Sequence, residues 1–317
     1  MSALRSSPAA ISLPPEGAAP GESEIARHRL FRRFRKNPLS VLGAVIVGSF
    51  VAVALLAPVL AHPVGRNAYL IPHSGYAADP RPPGPGHPFG TTEEQFDLYY
   101  GVVWGARTAF LVALTVIAAA VGVALLLGSL SGFYGGAVDE IVMRITDIFL
   151  ALPNIILAVV IVVVLGPSIR NLVLAIAAVQ WPVYTRLLRG EFLRVREMEY
   201  VQAARALGSG DWRVVTRHLI PNTVYPVLIL ASLDMGGVVI QFAFLSFLGL
   251  GVPVGYADWG QLVSLSKNWI VGTAGDPFTY WYTLIIPGAA IFLFVLGWNL
   301  LGDAFRDVFD PRLRGSF

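Results

Sequence analysis

The sequence has no cysteine among its 317 residues, which excludes disulfides, thiolate metal sites and cysteine nucleophiles together. Charge is scarce too: Asp, Glu, Lys and Arg make up 14% of the chain against 55% hydrophobic side chains. A water-soluble domain carries about 25% charged residues, so this composition excludes that class and places the chain in a membrane. Histidine occurs only as His28, His62, His73, His87 and His218, too scattered for a ligand set. There is no GxxxxGK[ST] phosphate loop, no HExxH and no GxSxG. No catalytic residue, metal site or bound cofactor is therefore expected. The formal net charge is +3, but the arginines flank apolar runs, where membrane topology accounts for them, so nucleic acid is not an expected partner.

Long apolar runs are what the chain has in abundance. A helix needs about 20 residues to cross roughly 30 Å of hydrocarbon, and six stretches qualify: 39–61, 108–133, 141–165, 169–188, 224–250 and 282–304. The expected fold is an all-α membrane protein of six transmembrane helices. Pro58, Pro153, Pro182 and the pair Gly236-Gly237 interrupt these runs, which membrane helices tolerate when neighbours satisfy the freed backbone groups. A packed bundle follows.

Basic residues set the orientation. Arg5, Arg27, Arg29, Arg32, Arg33, Arg35 and Lys36 precede the first run, and Arg186, Arg189, Arg194, Arg196, Arg205, Arg213 and Arg217 follow the fourth. Both segments belong in the cytoplasm, together with the two termini, while 62–106 and 251–281 lie outside. The first run exceeds the ~7–15 residues of a signal-peptide core and no A-x-A-like site follows it, so it reads as an uncleaved span. Residues 1–26 are rich in Pro, Ser, Ala and Gly and read as a disordered tail, and the basic stretch beginning at 27 and leading into the first span reads either as a surface helix or as simple positive-inside anchoring. The outer loop 62–106 contains ADPRPPGPGHPFGTT (78–92), which forbids regular structure. In the last outer loop, Trp259, Leu262, Leu265 and Trp269 fall near helical spacing and predict a short helix held at the membrane interface. The core is expected over 107–305 and a cytoplasmic tail over 306–317.

One charged island stands apart from this pattern. EYVQAARALGSGDWRVVTRHLIPN (199–222), within the inner loop 190–222, has two amphipathic halves broken at Gly208-Ser209-Gly210. Tyr200, Ala203, Ala204 and Leu207 make an apolar stripe at i, i+3, i+4 and i+7. Gly208 and Gly210 can supply a left-handed turn. Asp211 is placed to cap a second helix in which Trp212, Val215 and Leu219 align, Arg213 and Arg217 project, and Pro221 marks the end. A helix-turn-helix outside the bilayer is either a contact surface or a solvated loop with incidental amphipathicity.

The island resembles the EAA loop of binding-protein-dependent ABC importer permeases, with pattern E-A-A, three residues, Gly, nine residues, I-x-L-P. Ala203, Ala204, Gly208 and Pro221 fall in register, Ile220 takes the Leu position, Gln202 replaces the Glu with Glu199 as the nearest acid, and His218 replaces the Ile. HPFGT (87–91), GARTAFLVAL (105–114), GFYGGAVDEIVMRITDIFLALP (132–153), LSFLGLGVP (245–253), DWG (258–260) and NLLGDAFRDVFDPRLRG (299–315) resemble the C-type permease of dipeptide and oligopeptide importers, in the same order. One departure is Gln95-Phe96-Asp97 where that family has G-R-D.

The resemblance implies a type I importer permease in a prokaryotic inner membrane. It pairs with a homologous second permease, two ATP-binding subunits and an extracytoplasmic solute-binding protein, and ATP is bound by those partner subunits. It implies that Glu199, Ala203, Ala204, Leu207, Gly208, Asp211, Arg217 and Pro221 form the ATPase-coupling interface. Relatives serve dipeptides, longer peptides, nickel complexes or oligosaccharides. Ionisable groups in spans are costly, by about 2.5–3.5 kcal/mol at mid-helix, so Asp234 and Asp147 are expected to face protein or water, and they are candidates for the translocation path with Gln241 and Asn154. The alternatives are that Asp147 pairs with Arg144 and that Asp234 only satisfies neighbouring helices. A secondary transporter or channel would show inverted repeats or a gradient-coupled relay, and neither is visible.

Overall fold

A computed structural model describes residues 37–309 other than 74, 76, 78, 270, 271 and 273–275. The expected disordered tail over 1–26, the surface helix up to 36 and the end of the C-terminal tail lie outside those residues. Among the described residues all regular structure is helical, with isolated β-bridges confined to the loops. Five helices are long and apolar enough to cross a membrane, and a bent pair makes a sixth candidate span.

Helix α1, Pro38–Leu60, starts where Asn37 caps the Leu39 amide at 3.0 Å and Pro38 occupies the first turn. It packs on the last helix, α10 (Trp281–Phe309), at bare backbone: a Cβ at Gly43 would lie 2.7 Å from that of Leu300. Leu39, Leu42, Val45, Leu55, Leu56 and Val59 point outward, as lipid-facing side chains do.

Helix α2, Leu98–Tyr134, begins ten residues before the expected span because Asp97 caps it, accepting from the Tyr100 amide at 2.8 Å. Its 37 residues rise about 55 Å, well beyond a bilayer core. Residues 98–106 are therefore helical. Along its length Ala113, Ala120, Ala124, Gly128 and Gly132 are buried. They let α5, Ile169–Arg196, approach closely, since in a membrane small residues, more than hydrophobicity, bring helices together. A Cβ at Gly132 would sit 2.5 Å from the Cβ of Phe192.

The third expected span is broken. Helix α3, Gly136–Ala151, and helix α4, Asn154–Leu165, meet at 94° across Leu152 and Pro153. Leu152 is extended (φ −95°, ψ 142°) because the following proline ring disfavours the helical region, and Pro153 opens α4. At about 18 Å, α4 is too short to span alone. Helix α3 is lashed to α5 by two ion pairs, Asp139 with Arg189 (Nε 3.0 Å) and Asp147 with Arg186.

The segments expected to lie outside fold together as one cover. The Ile71 amide donates to Gly255 O and the Ala257 amide to Tyr69 O, each at 2.7 Å, and Trp269 Nε1 donates to Glu93 at 2.6 Å. Gln95 lies at φ 60°, the left-handed region, at the position where the family pattern has glycine. Its side chain is fully buried and donates to Asp79 O at 2.8 Å, which offsets that strain. Phe96 is buried against Gly255.

The expected interfacial helix is instead part of the core. After Asp258, which accepts from the Gln261 amide at 2.9 Å, helix α9 (Trp259–Leu265) inserts between α1, α2, α10 and α8, Ile220–Phe247. Trp259 is 2% exposed, lies edge-on to Phe50 and Phe294, and donates to Val102 O at 3.0 Å. Gly105 and Gly260 make the insertion possible: a Cβ at Gly260 would fall 2.2 Å from Ala243 O. With its N–H satisfied inside, the indole has no need of the interface.

Candidate functional site: the helix-turn-helix of residues 199–222

Two short helices form the island: α6, Glu199–Ala206, and α7, Asp211–Val214. Glu199 opens α6, where a carboxylate meets the positive end of the helix dipole. The helix closes with a Schellman motif. Ser209 N donates to Ala204 O at 3.1 Å and Gly208 N to Arg205 O at 2.9 Å, with Gly208 at φ +81°. Gly210 does not share the left-handed conformation expected of it. It is the extended N-cap of α7 (φ −65°, ψ 153°), and this moves Asp211 from the cap to the first helical position, where its side chain makes no capping bond.

The second half does not stop at Pro221. A five-residue π-turn, Val215–Leu219, carries α7 into α8, so one helical run covers Asp211–Phe247. The cause is local. Pro221 has no N–H to close an α-turn, and the Ile220 amide reaches back five residues to Val215 O. Asn222 Nδ2 and Thr223 Oγ1 donate to the carbonyls of His218 (2.7 Å) and Leu219 (3.0 Å). Proline at the first turn of α8 is thus accommodated and not terminating.

This turn also shifts the buried face. Val214 and Leu219, five apart, are both fully buried with Val201 of α6. Trp212, expected to align with Val215 and Leu219, is 80% exposed, and Val215 is half-buried. In α6 the expected stripe is turned outward: Tyr200, Ala203 and Leu207 are exposed and Ala204 is half-buried. Leu207 (87%) and Trp212 are the two most exposed large apolar side chains among the described residues, and they flank the Gly208-Ser209-Gly210 turn. Asp211, Arg217 and Pro221 are exposed beside them. Gln202, at the Glu position of the pattern, turns back to donate to Glu197 O at 3.2 Å.

Arginines fasten the unit to the membrane helices, a role that spacing did not reveal. The Arg205 guanidinium lies 4.8 Å over the Phe133 ring at the end of α2. Arg196 donates to the carbonyls of Gly132 and Phe133 at 3.2 and 3.3 Å, taking up acceptors that the helix end leaves open. Arg205 thus joins α6 to the end of α2, and Arg196 joins α5 to it.

The path candidates fall in two places. Asp147 is exposed and pairs with Arg186 of α5, not with Arg144. Asn154, at the start of α4, is half-buried. Asp234 and Gln241 lie on α8, and Asp234 accepts a 2.7 Å hydrogen bond from the Tyr184 hydroxyl of α5. The structure therefore joins Asp234 to α5 and leaves Asp147 and Asn154 on the broken helix pair.

Comparison with known proteins agrees with this architecture. Residues 124–315 match the family described as binding-protein-dependent transport system inner membrane component, and residues 27–82 match the N-terminal TM domain of oligopeptide transport permease C. The chain is 36% identical over 289 residues to the dipeptide transport system permease protein DppC of Alkalihalophilus pseudofirmus, covering 90% of this chain and 89% of the relative. It is 37% identical over 292 residues to the probable D,D-dipeptide transport system permease protein DdpC of Escherichia coli, covering 91% and 92%. A crystal structure of an amino acid ABC transporter with histidines is similar at TM-score 0.49 and 15% identity, covering 65% of this chain and 93% of that one. With the island, the apolar helices and the matched residues in one register, the chain belongs to the inner-membrane permease components of binding-protein-dependent ABC transport systems.

Proposed function

We propose that the chain is one of two homologous permease subunits of an ATP-driven peptide importer, and that residues 199–222 are its docking element for a separate ATPase. The observation that carries the docking reading is the paired exposure of Leu207 and Trp212 on either side of a rigid turn. Both lie on a charged segment outside the apolar runs, where exposed large apolar groups mark a protein contact. Burying each contributes about 1.5–3 kcal/mol, so the pair is an adequate centre for a contact. Glu199, Ala203, Ala204, Gly208, Asp211, Arg217 and Pro221 surround that centre. Two partner subunits bind and hydrolyse ATP, and this chain has no catalytic role. The coupling unit and both termini lie in the cytoplasm, and an extracytoplasmic solute-binding protein delivers cargo to the outer cover. The relatives are named as dipeptide transport permeases, which supports peptides over nickel complexes or oligosaccharides as cargo.

The test is to co-express all subunits with Leu207→Glu plus Trp212→Glu. The expected result is a folded permease pair that no longer retains its ATPases on purification. A complex that keeps its ATPases and imports peptides at the parental rate would overturn the docking reading.

A further inference from the structure

Asp234 is the fifteenth of the 28 residues of α8, so about 20 Å of helix lies on either side of it and it stands near the middle of the bilayer. A carboxylate at that depth is costly unless it is paired or wetted. None of the ion pairs among the described residues includes it. Its partner is the neutral Tyr184 hydroxyl at 2.7 Å. Tyr184 is fully buried while Asp234 is only partly so, which leaves the pair open on the carboxylate side.

The same face of α8 is open further along. Gly237 and Gln241 follow at i+3 and i+7, one above the other. A Cβ at Gly237 would meet nothing within 4 Å, unlike Gly236, whose Cβ would touch Val295 of α10 at 3.2 Å. Gln241 is partly exposed. The helix thus packs through Gly236 and presents Asp234, Gly237 and Gln241 as a polar strip with bare backbone at its centre. Asp234 and Gln241 are about 10 Å apart along the axis, and three residues of extended peptide cover about the same length.

Resting on the peptide-import reading, we propose that this strip is a recognition station in the translocation path: Asp234 receives the α-ammonium group of the cargo, and Gln241 hydrogen-bonds its backbone or carboxylate about three residues on. Tyr184 holds the carboxylate toward the strip. The chemistry selects a cation at one end of a short extended chain. A fixed negative charge at this depth also disfavours cargo with acidic side chains near its amino end.

The test uses the complete importer in proteoliposomes, with an alanine tripeptide carrying a free or an acetylated amino terminus. The affinities of both forms for the solute-binding protein are measured separately, so that delivery is factored out. Asp234→Asn keeps the shape and the Tyr184 contact while removing the charge. It is expected to narrow the free-over-acetylated uptake ratio by about tenfold, the low end of what a charge-assisted hydrogen bond contributes. Asp234→Glu should keep the preference. An unchanged free-over-acetylated ratio in Asp234→Asn would overturn the station while leaving peptide import standing, and so would an equal loss for both peptides. If the parental complex takes up neither of these peptides, the import reading fails, and the station fails with it.

Discussion

Gly208 separates the backbone of the turn from the surface it presents. At φ +81° any L-residue there costs about 1–2 kcal/mol of local strain. A Cβ would meet nothing within 4 Å, and Gly208 is itself exposed, so a side chain can leave the turn toward solvent. Gly208→Ala and Gly208→Arg therefore carry the same backbone cost and differ only in what projects between Leu207 and Trp212. The alanine variant should fold and dock with a loss of no more than about thirtyfold, since about 1–2 kcal/mol of strain is a factor of about 5–30 in an equilibrium. The arginine variant adds a charge to the centre of an apolar contact. An unpaired charge desolvated there costs several kcal/mol, which corresponds to about a hundredfold or more in docking. Both variants would be reconstituted with their partners, and cargo-stimulated ATP hydrolysis and uptake measured beside the thermal stability of the permease pair. Loss of uptake in Gly208→Arg, with the same thermal stability as Gly208→Ala, is expected. Normal uptake by the arginine variant would refute the docking assignment, and equal loss in both variants would place the function in the backbone turn instead.

Gly132→Ala should loosen the α2–α5 contact by about 1–3 kcal/mol, because its Cβ would fall 2.5 Å from that of Phe192; thermal unfolding of the purified complex checks it, and an unchanged midpoint would refute the close-approach argument. Asp258, outside the spanning helices and fully buried, has its carboxyl pushed up to about 6 by burial, partly offset by Ser246 and the α9 amides. Because the folded-state value is raised above that of the unfolded chain, its contribution is complete below about pH 4 and is lost as pH rises through 6. Asp258→Asn, which preserves helix capping, should flatten the stability profile between pH 4 and 6; a variant with the parental slope there would assign the pH dependence elsewhere.

Much of the architecture was legible from one dimension. Apolar run length marked the spans because the bilayer fixes how many residues a helix needs, and Gly208 was readable as a turn because glycine tolerates a left-handed backbone. The fate of Pro153 and Pro221 was not. Both prolines lack an N–H, yet one turns the chain through 94° and the other is absorbed by a π-turn in an unbroken helix. What differs is the surroundings: α3 is pulled across α5 by Asp139 and Asp147, whereas Val214 and Leu219 are held in the core on either side of the π-turn.

The island divides along the same line. The sequence by itself determined that a charged, glycine-broken helix pair lies between apolar spans and that its residues match a coupling pattern, since composition and spacing are properties of the chain alone. Which side of that pair faces out was decided only by tertiary structure. A helical wheel assigns faces relative to one another and never relative to a neighbour, and the five-residue turn before Pro221 rotates the second half beyond what a 3.6-residue period foresees. That rotation buries Val214 and leaves Trp212 in solvent beside Leu207. The same limit applies to Asp234: its cost in the membrane is written in the sequence, but its Tyr184 partner and the open strip beside Gly237 exist only because α5, α8 and α10 pack as they do.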